Sequence, residues 1–313
     1  MGYARINQSY SCTIFKTSTR LVSLFCHQKN FKIYEMKTMD SIYIVTGANA
    51  GIGRHTTQQL ATQGKTVIMA CRNMQRSKPV CEEIKTLTGN QNVFLYPLDL
   101  VSLQSINEFS NRIKNEGHSI AALINNAGIM TEDYAVTSDG LETDMQVNFV
   151  GTIALSLRLL DNIEQGGTIV NTISITRKVN ALSDDFLEPE ANNFIRLKRY
   201  GNSKLALFYA TAKLHELCQP KGINVNAVDP GVVSTGMITM HKWFDPLADL
   251  FFRPFIKKPE TAAKTFINAI SKGLSGQIFS GKKNTPISME VINSPETQKV
   301  WNAVVKYLEK KGF

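Results

Sequence analysis

A tyrosine and a lysine spaced four residues apart give the most direct indication of acid–base chemistry. Tyr200 and Lys204 lie at the start of the helix-like stretch 200–218, and residues four apart share one face of a helix. A phenol ordinarily ionises near pH ~10, and a neighbouring ammonium favours the phenolate and lowers the phenol pKa. Such a pair can move a proton to or from an alcohol oxygen. The alternative is a packed tyrosine beside a solvated lysine.

Two further polar residues occur where a site could form. Ser174 ends the apolar run 168–174, and ligands of parallel sheets lie beyond the carboxyl ends of the strands. Its hydroxyl could donate to a substrate oxygen as charge develops, or be an ordinary strand-end hydroxyl. Asn148 lies in the helical stretch 143–162, three residues before Gly151. This weak helix-forming pair indicates a kink or a functional site, with a solvent-facing asparagine as the alternative.

A glycine-rich turn follows the first apolar strand. Residues 46–53 read Thr-Gly-Ala-Asn-Ala-Gly-Ile-Gly and lead into a helix. Such a turn brings bare backbone N–H groups and the positive end of a helix to one point, where a pyrophosphate binds. Gly47 permits the tight turn, Gly51 the approach of the phosphate and Gly53 the close packing of helix on strand. No Lys-Ser or Lys-Thr follows, which excludes a nucleotide-triphosphatase loop.

The ends of the next strands supply further candidates for a dinucleotide site. Arg72 follows the second strand, and no acidic residue occurs between Gly64 and Val80. This pattern favours a cofactor with a 2′-phosphate, with a solvated loop arginine as the alternative. Asp99 could accept a hydrogen bond from adenine or cap the helix that begins near Ser102. After the fourth strand, small residues that allow close contact with a cofactor, or that simply form a turn, are Asn126, Ala127 and Gly128.

The order of the elements favours an α/β fold. From residue 41 onward, apolar runs predict strands at 42–46, 66–71, 93–96, 120–125, 168–174 and 223–228. Helical stretches between them lie at 54–63, 80–87, 103–115, 143–162 and 200–218. This alternation predicts a single Rossmann-type doubly wound parallel sheet with helices on both faces, in one domain over residues 41–313.

Composition and charge exclude several classes of protein. The 313 residues are 43% hydrophobic and 19% charged, as in ordinary globular chains. The net charge is +9, but residues 1–38 hold six basic residues and one acidic residue, so the main domain is only mildly basic and nucleic acid is not expected. The five cysteines and five histidines are scattered. We therefore expect no metal site, and reduced thiols in the cytoplasm.

Residues 1–40 form an N-terminal extension of different composition. They are rich in Ser, Thr, Lys and Arg and lack acidic residues before Glu35. Either Met36 or Met39 is the true start, or the segment is a transit peptide that directs the protein to an organelle. Nothing elsewhere in the sequence approaches the ~20 apolar residues of a membrane span.

In combination, the motifs resemble the short-chain dehydrogenases/reductases. The glycine turn, Asn-Asn-Ala-Gly at 125–128, Asn148, Ser174, the Tyr-x-x-x-Lys motif and Asp-Pro-Gly-Val-Val-Ser-Thr at 229–235 occur in the order of that family, over about residues 41–300. The sequences at 70–73 and 200–206 are most similar to the retinol-dehydrogenase-like branch, which mostly uses NADP. The sequence departs from the family pattern in three places: Thr-Ile-Ser at 172–174 replaces the usual Ser-Ser pair, Ser174 and Tyr200 are 26 positions apart, and Asp229 stands in place of a common His.

The resemblance implies a role for each candidate. Tyr200 would be the general acid/base, and Lys204 would bind the nicotinamide ribose and lower the Tyr200 pKa. Ser174 would orient the substrate oxygen, and Asn148 would hold a water in a proton relay. The cofactor-binding candidates are Gly47, Asn49, Gly51, Ile52, Gly53, Arg72, Asp99, Leu100, Asn126, Ala127, Gly128, Tyr200, Lys204, Pro230, Gly231, Val233 and Thr235.

The expected function is NADP(H)-dependent interconversion of an alcohol and a carbonyl by hydride transfer. Residues 237–256 are rich in Met and aromatic residues, which suit a lipophilic small-molecule substrate. A lid packed on the core, or a membrane- or subunit-facing patch, is the alternative. The alternative function is a non-catalytic NADP-binding sensor or scaffold. A nucleotide-sugar epimerase needs a larger lobe than residues 236–313. As in relatives, helices 143–162 and 200–218 are candidate faces of a homodimer, and a monomer is the alternative.

Overall fold

The computed structural model describes residues 13–17, 20–25, 32–35, 41–179, 181–188, 195–231 and 258–313. The chain divides into two units, residues 1–40 and 41–313. In the first unit, strands β1 (Thr13–Thr17), β2 (Arg20–Phe25) and β3 (Lys32–Glu35) form an antiparallel sheet in the order β1-β2-β3. The sequence analysis predicted no strand in this segment, because no regular apolar period marks it.

The central sheet of the second unit has eight strands. They are β4 (Ile42–Thr46), β5 (Thr66–Cys71), β6 (Val93–Pro97), β7 (Ile120–Asn125), β8 (Ile163–Thr172), β9 (Asn224–Val228), β10 (Gln277–Ser280) and β11 (Lys283–Pro286). Their order is β11-β10-β9-β8-β7-β4-β5-β6, and only the β10–β11 pair is antiparallel. This topology confirms the predicted Rossmann-type sheet and adds two strands at one edge.

Helices connect the strands. They are α1 (Gly51–Thr62), α2 (Met74–Thr88), α3 (Leu103–Asn115), α4 (Thr143–Met145), α5 (Gly151–Leu159), α6 (Arg196–Cys218), α7 (Pro259–Ser271), α8 (Met289–Ile292) and α9 (Pro295–Lys310). Helix α2 begins earlier than expected because the Asn73 side chain accepts a hydrogen bond from the Arg76 N–H and caps it. Between α4 and α5 the backbone forms a π-helical turn at Gln146–Val150.

The helices bury both faces of the sheet, as the doubly wound fold requires. On one face, Ile44 and Ile68 of the sheet belong to a core cluster with residues of α3, α5, α6 and α9. On the other, Val45 and Met69 belong to a cluster with residues of α1, α2 and α7, among them Phe266. The strands therefore read as continuous apolar runs, because each side of the sheet is covered.

The last helix covers part of a surface that the sequence analysis assigned to a dimer. Val304 and Leu308 of α9 lie in the same core cluster as Leu207 and Leu214 of α6. The Tyr307 hydroxyl donates to the Asp139 carbonyl oxygen at 2.7 Å. The homodimer stays a prediction. A dimer formed through α6 would have to use the part of the α6 surface that α9 does not cover.

Other expectations concern cysteines, metals and membranes. Cys71, Cys81 and Cys218 are buried free thiols, whereas Cys12 and Cys26 lie outside the described residues. Within the described ranges, no three His, Cys, Asp or Glu side chains come together as metal ligands. In the same part of the chain, every helix is too short or too polar to cross a membrane.

Truncation of Leu308 tests the packing of α9. Leu308 is 3% exposed, so Leu308→Ala leaves a cavity against α6, and we expect the free energy of unfolding to fall by about 2–5 kcal/mol. Leu217→Ala is the control: this side chain is 44% exposed and should change stability by less than about 0.5 kcal/mol. Urea unfolding measures both. Equal effects of the two substitutions would contradict the packing described.

Candidate functional site

The crevice lies where the chain reverses its direction across the sheet, between β4 and β7. The Asn126 side-chain amide donates to the Thr46 carbonyl oxygen at 2.9 Å, and the Ala127 N–H donates to the Thr46 hydroxyl at 3.0 Å. These bonds fix the glycine turn after β4 against the loop after β7. In doubly wound sheets this switch point is where ligands bind.

The glycines of the turn are required by close contacts. Gly47 has φ +64°, a left-handed conformation. A Cβ on Gly53 would overlap the Gly47 carbonyl oxygen and lie 2.5 Å from the Asn126 amide nitrogen. At the start of α1, Ala50 supplies no side-chain cap, so the first-turn N–H groups are available to an anion. This cradle of bare backbone fits the pyrophosphate of a dinucleotide.

The remaining adenosine-end candidates follow the neighbouring strands β5 and β6. Arg72 is exposed after β5, and no acidic side chain pairs with it among the described residues. Asp99 accepts a hydrogen bond from the Val101 N–H at 3.1 Å, whereas the α3 cap is Ser102 itself. The Asp99 carboxylate therefore orders its own loop. The Leu100 carbonyl oxygen accepts a hydrogen bond from the Gln146 side chain at 3.3 Å.

Asn148 lies in the π-helical turn and is completely buried. Its side-chain oxygen accepts a hydrogen bond from the Ile129 N–H at 2.8 Å, and its amide donates to the Ile129 carbonyl at 2.8 Å and to the Ser203 hydroxyl at 3.0 Å. The solvent-facing alternative is therefore wrong. The predicted local conflict in the helix corresponds to this turn, which aims Asn148 at the loop after β7.

Lys204 carries a buried ammonium group next to the Tyr200 ring. It is 2% exposed; its Nζ donates to the Thr172 carbonyl oxygen at 2.8 Å and lies 5.8 Å from the centre of the Tyr200 ring. Tyr200 is hydrogen-bonded to the Ser174 side chain. The structure thus brings Tyr200, Ser174 and Lys204 to the carboxyl end of β8.

Gly128 makes room for this group of side chains. A Cβ at Gly128 would lie 3.1 Å from Lys204 Nζ and 3.2 Å from Asn148 Oδ1. Both distances are tighter than ordinary contacts of side-chain carbons. The loop after β7 therefore contacts the glycine turn at one end and Asn148 and Lys204 at the other.

Burial sets the acid–base properties of Tyr200 and Lys204. Burial raises the pKa of Tyr200 to about 12, opposed by the hydrogen bond to Ser174 and reinforced by the Asp144 and Asp229 carboxylates. Burial lowers the pKa of Lys204 to about 8, opposed by Asp144. In the folded chain the phenol pKa thus lies above its ordinary value, because the lack of water around the phenol disfavours its charged form, and the lowering of this pKa by Lys204 stays a prediction.

Asp144 is a charged residue at the site that the sequence analysis missed. It is completely buried in α4, where one carboxylate oxygen accepts a hydrogen bond from the Thr131 N–H at 2.9 Å. Burial raises its pKa to about 6, and the Lys204 charge opposes this rise. In the sequence, Asp144 resembles any acidic residue in the first turn of a helix; only the packing of α4 beside Lys204 distinguishes it.

The loop after β9 carries the last candidates. Asp229 directly follows β9, and Gly231 adopts φ +77° while its N–H donates to Asp229 Oδ1 at 3.1 Å. Pro230 lies between them and is buried. Val233, Thr235 and the segment 237–256 lie outside the described residues. At the start of the glycine helix, Asn49 and Ile52 are partly exposed.

Comparison with known proteins assigns the family. The short chain dehydrogenase family model matches residues 41–243. Human retinol dehydrogenase 12 is 33% identical over 85% of this chain and 86% of its own length. Human polyprenol dehydrogenase is 34% identical over 84% of this chain and 83% of its own. A Burkholderia cenocepacia short chain dehydrogenase solved with NADP is similar in fold, with a TM-score of 0.62, 22% identity and coverage of 77% and 95%.

The fold, the crevice and these matches define the class. The chain belongs to the short-chain dehydrogenases/reductases, in the retinol-dehydrogenase-like branch, and is an oxidoreductase that acts on CH–OH groups.

Replacement of Lys204 tests the cost of its burial. Because the charged form is disfavoured in the folded chain, we expect Lys204→Met to raise the free energy of unfolding at pH 7 without added cofactor. Between about pH 8 and 10.5 the folded wild type releases this proton while the unfolded chain retains it. The free energy of unfolding of the wild type therefore rises with pH over this range. The difference in stability between Lys204→Met and the wild type becomes smaller.

Denaturant titrations at several pH values between 7 and 10.5 measure this difference. The control is Lys221→Met, because the Lys221 side chain is 50% exposed and its difference from wild type should not change with pH in this way. A Lys204→Met difference that is constant from pH 7 to 10.5 would contradict the cost of burying the charge.

Proposed function

We propose that the protein interconverts an alcohol and a carbonyl with NADP(H) as the hydride carrier, and that Tyr200 is its general acid/base. The observation that carries the proposal is the position of the Tyr200 phenol, which is hydrogen-bonded to Ser174 and backed by the Lys204 ammonium, in the crevice that begins at the glycine cradle. A structural tyrosine does not need these two partners together at the carboxyl end of β8.

The roles of the side chains follow from this arrangement. When bound, the nicotinamide would supply or accept the hydride. The Tyr200 phenol, whose pKa burial raises to about 12, is protonated at neutral pH, which is the form needed to give a proton to a carbonyl oxygen during reduction. Ser174 is placed to orient that same oxygen. Lys204, fixed on the Thr172 carbonyl, supplies positive charge that stabilises the phenolate left behind.

We propose that Asn148 acts indirectly, by fixing the backbone of the π-helical turn in which it lies. Its side chain is fully engaged with Ile129 and Ser203, so it holds the π-helical turn beside Lys204 rigidly. A water held near this turn would pass protons between Lys204 and solvent, as the family resemblance implies for Asn148. We regard Asn148 as the residue that positions this part of the relay.

NADP is proposed as the cofactor because of the chain's own residues. Arg72 is exposed after β5, where the adenosine ribose of a dinucleotide lies in this fold, and a guanidinium binds a 2′-phosphate through two parallel bonds. The carboxylate that would select NAD is missing from the stretch between Gly64 and Val80. The similar bacterial structure contains NADP, which also supports the assignment.

The substrate is proposed to be lipophilic. Ile175, Ile195 and Leu197 are 54–58% exposed, next to Ser174 or on the turn that precedes Tyr200. Apolar side chains at the rim of a polar site favour a substrate with an apolar body. The relatives named for retinol and polyprenol support the same class of substrate. A non-catalytic NADP-binding protein is the weaker hypothesis, because it has no need of the Tyr200–Ser174–Lys204 group.

Replacement of the phenol tests the catalytic proposal. We expect Tyr200→Phe to lower kcat by about 10²- to 10⁴-fold, because the proton donor is lost, while the affinity for NADPH stays within about twofold of wild type. NADPH absorbance, followed with aldehydes and ketones from short-chain to polyprenyl and retinoid compounds, measures turnover. Tyr209→Phe on the same helix is the control, with wild-type turnover expected. Retained turnover in Tyr200→Phe would reject this role.

Replacement of Arg72 tests the choice of cofactor. Arg72→Asp removes the partner of the 2′-phosphate and offers a carboxylate to the ribose hydroxyls of NAD. We expect the ratio of kcat/KM for NADPH over NADH to fall by about tenfold or more, since a charge-assisted hydrogen bond is worth ~1.5–3 kcal/mol. Lys306→Asp on α9 makes the same change in net charge on an exposed residue and should leave the ratio unchanged. An unchanged ratio in Arg72→Asp would show that Arg72 does not contact the cofactor.

A further inference from the structure

A buried ion pair joins the carboxyl ends of β8 and β9. Arg177 lies in the short 3₁₀ helix Ile175–Val179, directly after Ser174, and Asp229 directly follows β9. Arg177 Nη1 lies 3.1 Å from Asp229 Oδ2, and each residue is 8% exposed. Burying two charges is costly unless their geometry is good and their other polar atoms are satisfied. Whether the burial of the Arg177–Asp229 pair is compensated therefore depends on the other contacts of the two side chains.

On one side, Arg177 holds the backbone of Ser174. Its Nη1 donates to the Ser174 carbonyl oxygen at 2.9 Å, and its backbone N–H donates to the same oxygen at 3.2 Å. The guanidinium also lies 5.0 Å from the centre of the Phe208 ring on α6, a cation–π contact. The position of Ser174 is thus fixed both to its own turn and to the helix that carries Tyr200.

On the other side, Asp229 holds the loop after β9. Its Oδ1 accepts the hydrogen bond from the Gly231 N–H at 3.1 Å, while its own N–H donates to the Phe279 carbonyl oxygen of β10 at 2.8 Å. The carboxylate therefore uses one oxygen for Arg177 and the other for Gly231. It determines the path of residues 229–231, where two of the cofactor-binding candidates lie.

We propose that Arg177 and Asp229 are a positioning pair, which holds Ser174 and the loop at Gly231 in one fixed arrangement so that the substrate oxygen and the nicotinamide ring meet in register. The inference rests on the proposed function for the roles of Ser174 and Gly231. Neither charged side chain touches the reacting atoms; each acts through its neighbour. The pair also gives a physical reason for Asp229, which stands where the resemblance leads one to expect His: a carboxylate is the partner that Arg177 requires.

Three variants separate positioning from general stability. Asp229→Asn keeps the shape and an acceptor for Gly231 but removes the charge, Arg177→Met removes the cation, and the third variant combines both. For each we would measure kcat with a carbonyl that the wild type reduces, the Kd for NADPH, and the Kd for adenosine 2′,5′-bisphosphate. The last compound is the adenosine end of the cofactor, and it does not reach the loop at Gly231.

Each single variant should lower kcat by about tenfold or more and weaken NADPH binding, because misplacement of the reacting groups is costly. The affinity for adenosine 2′,5′-bisphosphate should stay within about twofold. The double variant should lose less than the product of the two single losses, because it leaves no lone buried charge. The control is Asp161→Asn, which breaks the exposed pair with Lys221 and should change none of these quantities.

Several results would overturn the proposal. They are wild-type kcat and NADPH affinity in both single variants, equal loss of affinity for NADPH and for the bisphosphate, or independent effects of the two substitutions. If Asp229→Asn does not fold, Arg177→Lys decides: it keeps the charge but offers one donor group, and its kcat should lie between those of wild type and Arg177→Met. If the wild type binds NADPH but reduces no carbonyl, the proposed function fails, and the ratio of the two affinities in the variants still tests the pair.

Discussion

The site depends on keeping an ammonium out of water. Lys204 is 2% exposed, and the Thr172 carbonyl oxygen is its hydrogen-bond partner. Burial disfavours the charged form of the Lys204 amine. The surrounding elements must therefore hold the amine in place by packing against it from every side. Gly128 has to lack a side chain because a Cβ there would crowd both this amine and Asn148. The π-helical turn and the Asp144 carboxylate are further parts of the same enclosure.

A second constraint is the approach of backbone to backbone at the switch point of the sheet. Gly47 and Gly53 touch each other, and the Asn126 amide bridges from the loop after β7 to the turn after β4. A side chain at position 53 would overlap both the Gly47 carbonyl oxygen and the Asn126 amide. These bonds connect the cradle for a pyrophosphate with the loop that ends at Gly128, next to the buried amine. The cofactor-binding candidates and the acid–base residues are thus positioned by two neighbouring segments, the turn after β4 and the loop after β7, which are hydrogen-bonded to each other above the covered parallel sheet.

The accuracy of prediction from sequence varied with the range of the interactions. Helix Leu103–Asn115 and strand Ile120–Asn125 were predicted with their observed bounds, because their apolar period and their caps are local. The helix around Asn148 was predicted as one element with a local conflict, and it contains a π-helical turn. Strands β10 and β11 were missed because each has only four residues; they form a hairpin with each other, and only β10 joins the sheet, by pairing with the distant β9. The pairing of Tyr200 with Lys204 was predicted from their spacing, and the addition of Ser174 was implied by the family resemblance, whereas the Arg177–Asp229 pair was not predicted.

The amino-acid sequence by itself determined the class of fold, the glycine turn and the residues that could carry out acid–base chemistry, because these features depend on periodicity and on spacing along one chain. Only the tertiary structure decided the direction in which the pKa values of those residues shift. The pKa of Tyr200 rises and that of Lys204 falls because elements distant in sequence exclude water from both groups. The partners of Asp144 and Asp229 were likewise set by packing, since desolvation and distance exist only once the chain has folded.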